Sequence, residues 1–193
     1  MICAAGASRR MAPDDKLMLP IHGRSLLRHL AERVLEVCVP TVVALPPEPH
    51  PRWQTLEDLP LRRVSYPDSA EGLSGTLRAA VADLPDTVSH LCVVLADLPQ
   101  IAPSDFIELF EEWRLHSDCL IWRSLSPDGK PAHPTLFHRD TFSAFSHISG
   151  DDGAKPVIAK FKSALHEFSS ARGGGSYDID TPQDYQTYLD SQS

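Results

Sequence analysis

The clearest buried strand in the sequence is Leu91–Ala96 (LCVVLA), and it is followed directly by Asp97-Leu98-Pro99. A continuous apolar run of this length is typical of a parallel strand that is covered by helices on both faces. Asp97 then stands at the carboxyl end of the strand, which is where open α/β sheets bind their ligands. This stretch therefore indicates both a fold class and one edge of a site.

Apolar runs alternate with helical patterns on both sides of this strand. Further strands are predicted at 2–5, 41–45, 62–66, 119–123, 135–138, 166–169 and 176–179, and helices at 26–37, 76–83, 103–116, 140–146, 153–161 and 182–189. This alternation predicts an α/β fold, a three-layer sandwich around a Rossmann-like, mainly parallel sheet. The 193 residues fit a single domain, 1–193. The three glycines within Arg172–Ser176 predict a flexible loop rather than a linker between domains.

The composition narrows the range of partners. A formal net charge of −8 argues against nucleic acid, because binding to its backbone needs a concentrated basic face. The sequence has no apolar run near the length of a membrane span and no signal peptide, so we expect no membrane partner and a cytoplasmic location. Cys3, Cys38, Cys92 and Cys119 show no metal-binding spacing and are expected to be buried thiols in a reducing compartment.

The loop after the first strand, Ala4–Lys16 (AAGASRRMAPDDK), combines small residues with cations. Small residues let the backbone approach a ligand closely and present N–H groups to phosphates. Two arginines and Lys16 add cationic donors for a polyphosphate. The loop fits neither GxxxxGK[ST] nor GxGxxG, which disfavours a plain NAD-binding domain. Its residues alone leave two interpretations open, a phosphate-binding loop or an ordinary basic turn.

Eight short motifs are spread in order over nearly the whole chain. They are AAGxSxRM at 4–11, KL at 16–17, PxxGRSLL at 20–27, EGLSGTLR at 71–78, LADLP at 95–99, HPTLF at 133–137, GDxGAK at 150–155 and DIDTPxDY at 178–185. Together they resemble the MobA-like nucleotidyltransferases, and most closely the molybdenum cofactor cytidylyltransferase branch. The resemblance implies the fold of the nucleotide-diphospho-sugar transferases.

The resemblance also implies a role for each matching residue. The roles are nucleotide binding for Ala4, Ala5, Gly6, Gly72, Ser74 and Thr76, catalysis for Arg10 and Lys16, Mg²⁺ coordination for Asp97 and Asp180, and acceptor binding for His133, Asp151 and Lys155. Mg²⁺ is a hard cation that is usually held by one or two carboxylates and phosphate oxygens. An aspartate directly after a buried strand suits that role, because the rigid strand holds its backbone in place.

Three of these residues have a structural alternative. Asp97 could instead stabilise the turn before Pro99. Asp180 lies in a good helix start, and Asp178 could be the metal ligand in its place. His133, taken alone, would more often be a structural histidine.

The resemblance implies that CMP is transferred from CTP to the terminal phosphate of molybdopterin, the molybdenum cofactor, with Mg²⁺ as cofactor and release of pyrophosphate. Ala5 stands where guanylyltransferases usually carry a glycine, and its methyl group favours a pyrimidine by about 1–3 kcal/mol at most. A molybdenum hydroxylase or its chaperone would receive the product. The alternatives are GTP as donor, a sugar phosphate or another phosphorylated small molecule as acceptor, and a non-catalytic nucleotide carrier.

Overall fold

The computed structural model describes residues 1–37 and 40–192, without the side chain of Arg9. Its strands are β1 (Ile2–Cys3), β2 (Pro20–Ile21), β3 (Arg24–Ser25), β4 (Val42–Leu45), β5 (Arg62–Ser65), β6 (His90–Leu95), β7 (Ile121–Leu125), β8 (Pro131–His138) and β9 (Leu165–Ser169). Its α-helices are α1 (Leu26–Leu35), α2 (Pro51–Gln54), α3 (Leu73–Ala82), α4 (Pro103–Leu115), α5 (Lys155–Lys160) and α6 (Pro182–Ser191). Short 3₁₀ segments lie at Arg9–Met11, Lys16–Met18, Pro67–Glu71, Arg139–His147, Lys162–Ala164 and Gly174–Ser176.

Seven strands of the described residues form one sheet in the order β5-β4-β1-β6-β8-β7-β9. Strand β1 is parallel to β4 and β6, β4 to β5, and β7 to β9. Strand β8 is antiparallel to both of its neighbours, β6 and β7. The predicted mainly parallel sheet is confirmed. Because β8 is reversed, its N-terminal end lies at the edge of the sheet where β1 and β6 reach their carboxyl ends.

Helices cover both faces of the sheet, because successive residues of a strand point to opposite sides. In β4, Val43 and Leu45 belong to a core that includes residues of α1, α4 and α6. Ala44, which lies between them, belongs to a second core with residues of α3, α5 and the 3₁₀ segment Arg139–His147. The three-layer α/β architecture is therefore confirmed.

The glycine-rich segment before α6 differs from its prediction. The stretch 176–179 is not a strand, since Gly174–Ser176 is a 3₁₀ turn and the Ile179 N–H donates to the Asp97 carbonyl oxygen at 3.0 Å. The three glycines do not form an open, flexible loop, because Gly174 and Gly175 are buried. A Cβ on Gly175 would overlap the carbonyl oxygen of His133. The glycines therefore allow close packing that brings the segment after them next to Asp97.

The cysteines and the helices can be compared with the expectations of buried thiols and of no membrane partner. Cys3, Cys92 and Cys119 are partly buried rather than fully buried, and none of the three is in a disulfide. Burial raises the pKa of Cys3 to about 12, which keeps it a thiol at neutral pH. The fourth cysteine, Cys38, lies outside the described residues. Within the described parts of the chain, the helices are all too short or too polar to cross a membrane.

Candidate active site

A large cleft opens at the edge of the sheet where the parallel strands β1, β4 and β6 end. Its volume is about 1510 Å³. It is lined by the loop after β1, the segments after β4, β5 and β6, the start of β8, the loop before α5 together with the start of that helix, and the segment before α6. A pocket for one small molecule typically measures about 300–1,000 Å³. The cleft therefore has room for two substrates.

Lys16 lies between the two predicted metal ligands. Its Nζ donates to Asp97 Oδ2 at 2.6 Å and to Asp180 Oδ1 at 2.8 Å. The guanidinium of Arg10 contacts the other oxygen of Asp180 at 2.7 Å. The side chain of Arg10 is 70% exposed, and the residue lines the cleft. Residues from three distant segments thus meet as one charged cluster, which we call the Lys16 cluster: Arg10, Lys16, Asp97 and Asp180.

The charges of the Lys16 cluster control its protonation states. Burial alone would lower the pKa of Lys16, but Asp97 and Asp180 outweigh burial and raise it. Burial likewise opposes the ionised form of Asp180, yet Lys16 and Arg10 lower its pKa. Asp178 differs, because burial, Asp180 and Asp97 all raise its pKa. Of the two neighbouring aspartates, Asp180 is therefore the one that the protein's own cations hold ionised.

Asp97 keeps one oxygen without a protein partner. Its Oδ2 accepts from Lys16, whereas its Oδ1 is buried and has no hydrogen-bond partner among the described residues. Buried polar atoms in native proteins rarely lack a partner. A hard cation is the ligand that a spare carboxylate oxygen suits best. The donor set at this edge of the sheet therefore fits Mg²⁺.

The loop from Ala4 to Lys16 is held in place by hydrogen bonds from Arg52, a residue of α2 that is 2% exposed. Its Nη1 donates to the carbonyl oxygens of Ala4 and Gly6 at 2.6 and 2.8 Å. Its Nε and Nη2 donate to the two carboxylate oxygens of Asp15 at 2.8 and 2.6 Å. One guanidinium thus ties the start of the loop to its end. No motif marks Arg52 in the sequence, because its partners lie 37 to 48 residues away.

Asp15 transmits this order to Lys16. Its Oδ1 accepts from the Leu17 N–H at 3.1 Å and so caps the 3₁₀ turn that begins at Lys16. Burial alone would raise the pKa of Asp15, but Arg52 outweighs burial and lowers it, so the cap is ionised at neutral pH. We call Arg52 with its partners Ala4, Gly6, Ser8 and Asp15 the Arg52 cluster.

The structure places Gly72 at the cleft but turns Ser74 and Thr76 away from it. Helix α3 begins at Leu73, three residues earlier than predicted, so both side chains lie within its first turns. Their hydroxyl groups donate to the carbonyl oxygens of Gly153 at 3.4 Å and of Gly72 at 3.2 Å. Both residues are at most 3% exposed. Their hydroxyls are therefore not presented to a bound base in this structure, and their assigned role stays a prediction.

Gly72 also joins the two sides of the cleft. Its φ of +119° lies in the region that favours glycine, and a Cβ there would overlap the carboxylate of Asp151. The Ser74 N–H donates to the Gly150 carbonyl oxygen at 3.1 Å, and the Gly150 N–H donates to Glu71 Oε1 at 2.9 Å. The predicted base side and the predicted acceptor side therefore share a common wall.

The three residues predicted to face the acceptor all line the cleft. Asp151 and Lys155 are exposed, and Lys155 begins α5. His133 lies near the start of β8, with its Nδ1 3.4 Å from the Val93 carbonyl oxygen. Burial lowers the pKa of His133 despite the opposing effect of Asp97, so its ring is neutral at neutral pH. Lys155 is thus an exposed cation on this side of the cleft, whereas the neutral ring of His133 can act through hydrogen bonds.

A mainly parallel sheet with a charged cleft at its carboxyl edge is the architecture of the Rossmann-like α/β proteins. Within that class, residues 1–167 match the family described as the MobA-like NTP transferase domain. The chain therefore belongs to the MobA-like NTP transferase family. The resemblance to the MobA-like family is confirmed, whereas the cytidylyltransferase branch stays a prediction.

Two relatives share this similarity. The chain is 29% identical over 150 residues to the molybdenum cofactor guanylyltransferase of Bradyrhizobium sp. (strain ORS 278), across 70% of this chain and 63% of that protein. It is 33% identical over 121 residues to the probable molybdenum cofactor guanylyltransferase of Synechococcus elongatus, across 62% of this chain and 58% of the relative. The chain thus spans less than two thirds of the length of these curated relatives.

Solved structures show the same fold. A homologue of Rv0371c from Mycobacterium sp. strain JC1 has a TM-score of 0.81 at 23% identity, covering 98% of this chain and 93% of that one. Rv0371c of Mycobacterium tuberculosis in complex with manganese has a TM-score of 0.76 at 21% identity, covering 98% and 96%. At these identities the likeness is one of fold.

Proposed function

We propose that the protein is a nucleotidyltransferase that transfers the nucleoside monophosphate of an NTP to the terminal phosphate of the molybdenum cofactor. The observation that carries this proposal is the Lys16 cluster, in which Lys16 bridges Asp97 and Asp180 at the rim of a cleft with room for two substrates. Membership of the MobA-like NTP transferase family supports the reaction class. Both relatives are named as molybdenum cofactor guanylyltransferases, which supports the acceptor.

In this reaction an oxygen of the acceptor phosphate attacks the α-phosphorus of the NTP in line. A new P–O bond forms while the bond to the bridging oxygen breaks, and its electron pair leaves with pyrophosphate. No general base is needed, because a phosphate monoester with a second pKa of about 6 is mostly dianionic near pH 7. Arg10 and Lys16 then act by holding the triphosphate and neutralising its charge.

We also propose Mg²⁺ as the cofactor, held by Asp97 and Asp180. Support comes from the buried Asp97 Oδ1, which has no hydrogen-bond partner in the part of the chain that the structure describes, and from the lowered pKa of Asp180. Bound there, Mg²⁺ would offset negative charge on the triphosphate and on the leaving pyrophosphate. The manganese complex of the structurally similar Rv0371c supports a divalent cation in this fold.

For the donor we propose CTP, with GTP as the second candidate. Ala5 lines the cleft, and its methyl group reduces the space for a base where guanylyltransferases usually have glycine. The names of both relatives, which are guanylyltransferases, favour GTP instead. A single methyl group discriminates by only about 1–3 kcal/mol, so direct competition between the two nucleotides is the decisive measurement.

The experiment is a pyrophosphate-release assay with each NTP in turn, combined with molybdopterin-bound molybdenum, a sugar phosphate or no acceptor. We expect the fastest release with CTP and the molybdenum cofactor, and its loss in Lys16→Ala and Asp97→Ala. The matched control is Asp118→Ala, since Asp118 is exposed and lies outside the cleft. Full release in both cleft variants would overturn the mechanism. Turnover with GTP alone would establish the second candidate, and nucleotide binding without turnover would indicate a carrier.

We further propose that the protein works in the cytoplasm and passes its product to a molybdenum hydroxylase or its chaperone. The thiols of Cys3 and Cys119 suit a reducing compartment. The net charge of −8 supports small-molecule and protein partners rather than nucleic acid. The partner is tested by whether a molybdenum hydroxylase co-purifies with the tagged protein, and by comparison with the same experiment on the Lys16→Ala variant.

A further inference from the structure

Three side chains with metal-binding atoms meet at the edge of the sheet opposite the cleft. Glu112 lies in the last turn of α4, and His116, one helical turn after Glu112, directly follows the last residue of that helix. His166 is the second residue of β9, the strand at one end of the sheet. Strand β9 runs in the same direction as β6, so its first residues lie away from the carboxyl edge that carries the active-site cleft.

The spacing of the three donor atoms matches a coordination shell. Glu112 Oε2 lies 2.8 Å from His166 Nε2 and 3.5 Å from His116 Nε2. All three atoms lie within 4.8 Å of one another. With metal–ligand bonds of about 2.1 Å, neighbouring donors of a tetrahedral ion lie about 3.4 Å apart. The observed separations of the three donor atoms are therefore close to those of one coordination shell.

The surroundings provide both rigidity and access. The His116 carbonyl oxygen accepts from the indole N–H of the buried Trp122 at 3.1 Å, which anchors the end of α4. The two imidazole rings stack with centroids 3.8 Å apart, so at least one of them must turn to direct its nitrogen at a shared ion. His116 is the side chain with room to turn, at 45% exposed, whereas Glu112 and His166 are 26% and 21% exposed.

We propose that Glu112, His116 and His166 form a second metal site that binds a transition-metal cation such as Zn²⁺. Two imidazole nitrogens and one carboxylate suit Zn²⁺, whereas the all-oxygen donors near Asp97 suit Mg²⁺. Three protein ligands leave one position for water. The bound ion joins the end of α4 to β9, which among the described residues has a neighbouring strand on one side only, and so stabilises this edge of the sheet.

The test is a titration of the metal-free full chain with Zn²⁺ alone and with Mg²⁺ alone, followed by calorimetry and thermal unfolding. It is done in the Asp97→Ala background, so that carboxylates of the cleft do not dominate divalent binding. We expect Zn²⁺, and not Mg²⁺, to raise the melting temperature by about 5–10 °C at a hundredfold excess over Kd.

The site is then removed in His166→Gln and Glu112→Gln, which conserve side-chain size. We expect both to lose the response to Zn²⁺. The matched controls are Glu111→Gln, on the same helix, and His147→Gln. Both residues are exposed and are not among the three proposed ligands. A Zn²⁺ response that survives in both triad variants would overturn the proposal, as would its absence from the parent protein. The titration of the parent protein needs no substitution of Glu112, His116 or His166, so it tests the proposal even where a variant of these residues folds poorly.

Discussion

The loop from Ala4 to Lys16 lies between two charged clusters that differ in how completely they are paired. In the Arg52 cluster, a guanidinium that is 2% exposed finds acceptors for Nε, Nη1 and Nη2, all supplied by the loop itself. In the Lys16 cluster, Lys16 bridges the two carboxylates and Arg10 contacts Asp180, but Asp97 Oδ1 is buried and has no hydrogen-bond partner among the described residues. Both clusters contain ionised aspartate, yet only the first is complete within the protein.

This difference separates a structural charge from a functional one. Burying a charge is costly unless it is paired and hydrogen-bonded, which is why the Arg52 cluster is stable only as a complete set. Incomplete pairing in a cleft is typical of a site that a ligand completes. The cation and phosphates of the proposed reaction would supply what the Lys16 cluster lacks.

The largest effect is expected from Lys16→Ala. Removing a preorganised charge that stabilises a transition state costs about 10²–10³ in rate, so kcat should fall by that factor. Without metal, the variant should also melt at a lower temperature, because Asp97 and Asp180 lose their shared cation. Added Mg²⁺ should restore the melting temperature but not kcat. The measurements are steady-state kinetics and thermal unfolding with and without Mg²⁺.

The control for this prediction is Lys162→Ala, which removes an exposed lysine outside the cleft. It should leave both kcat and melting temperature unchanged. Recovery of full activity in Lys16→Ala on addition of Mg²⁺ would contradict a catalytic role for the ammonium group.

Arg52→Ala tests the opposite cluster and should act mainly on stability. Removing one partner of a buried ion pair leaves the other uncompensated and costs about 3 kcal/mol in the free energy of unfolding. KM for the nucleotide should rise because Ala4 and Asp15 lose their common anchor. Arg52→Lys should not restore either property, since an ammonium cannot replace a planar fork of donors.

Arg62→Ala is the matched control, because Arg62 is 60% exposed in a surface ion pair with Asp83. Exposed pairs contribute about 0–1 kcal/mol, so its free energy of unfolding should change little. Equal losses of stability in the two variants would remove the distinction between the Arg52 cluster and an ordinary ion pair.

The Lys16 cluster was predictable from the sequence and the Arg52 cluster was not. Asp97 follows the most evident strand, and parallel strands bring their carboxyl ends to one edge, so the meeting of Asp97 with the loop follows from the fold class. Arg52 acts on backbone carbonyls as well as on Asp15, and contacts of that kind leave no spacing pattern along the chain.

Three further features could not be predicted from the sequence, for similar reasons. The hydroxyls of Ser74 and Thr76 point away from the cleft because α3 begins at Leu73 rather than at Thr76, and helix boundaries are weakly specified by periodicity. His133 reaches the active-site edge only because β8 runs antiparallel, and an apolar run does not specify strand direction. The predicted strand at 176–179 fails because glycine packing, rather than a strand ladder, holds the backbone there.

Gly72→Ala should have an intermediate effect on the wall shared by the two substrate sides. A non-glycine residue held at an unfavourable positive φ costs about 1–3 kcal/mol, and the new Cβ would in addition overlap Asp151. We expect a lower melting temperature and a raised KM for the acceptor. Gly129→Ala is the control, because Gly129 has a φ of +79° but open space around its Cβ position. A larger loss of stability in the control would show that the contact with Asp151 is unimportant.

Asp15→Asn tests only the charge of the ion pair between Asp15 and Arg52, because its amide conserves the size of the side chain and one acceptor oxygen but removes the charge that faces Arg52. Because Arg52 lowers the pKa of Asp15 in the folded state, ionised Asp15 stabilises the protein above the unfolded-state pKa of about 3.9. That contribution is lost as the pH falls through the lower folded-state pKa. The gap in melting temperature between wild type and Asp15→Asn should therefore be constant from pH 7 to 5 and close below pH 4, as measured by thermal unfolding across that range. The exposed Asp118→Asn provides the control, and a gap that widens in acid would mean that Arg52 does not stabilise the ionised form.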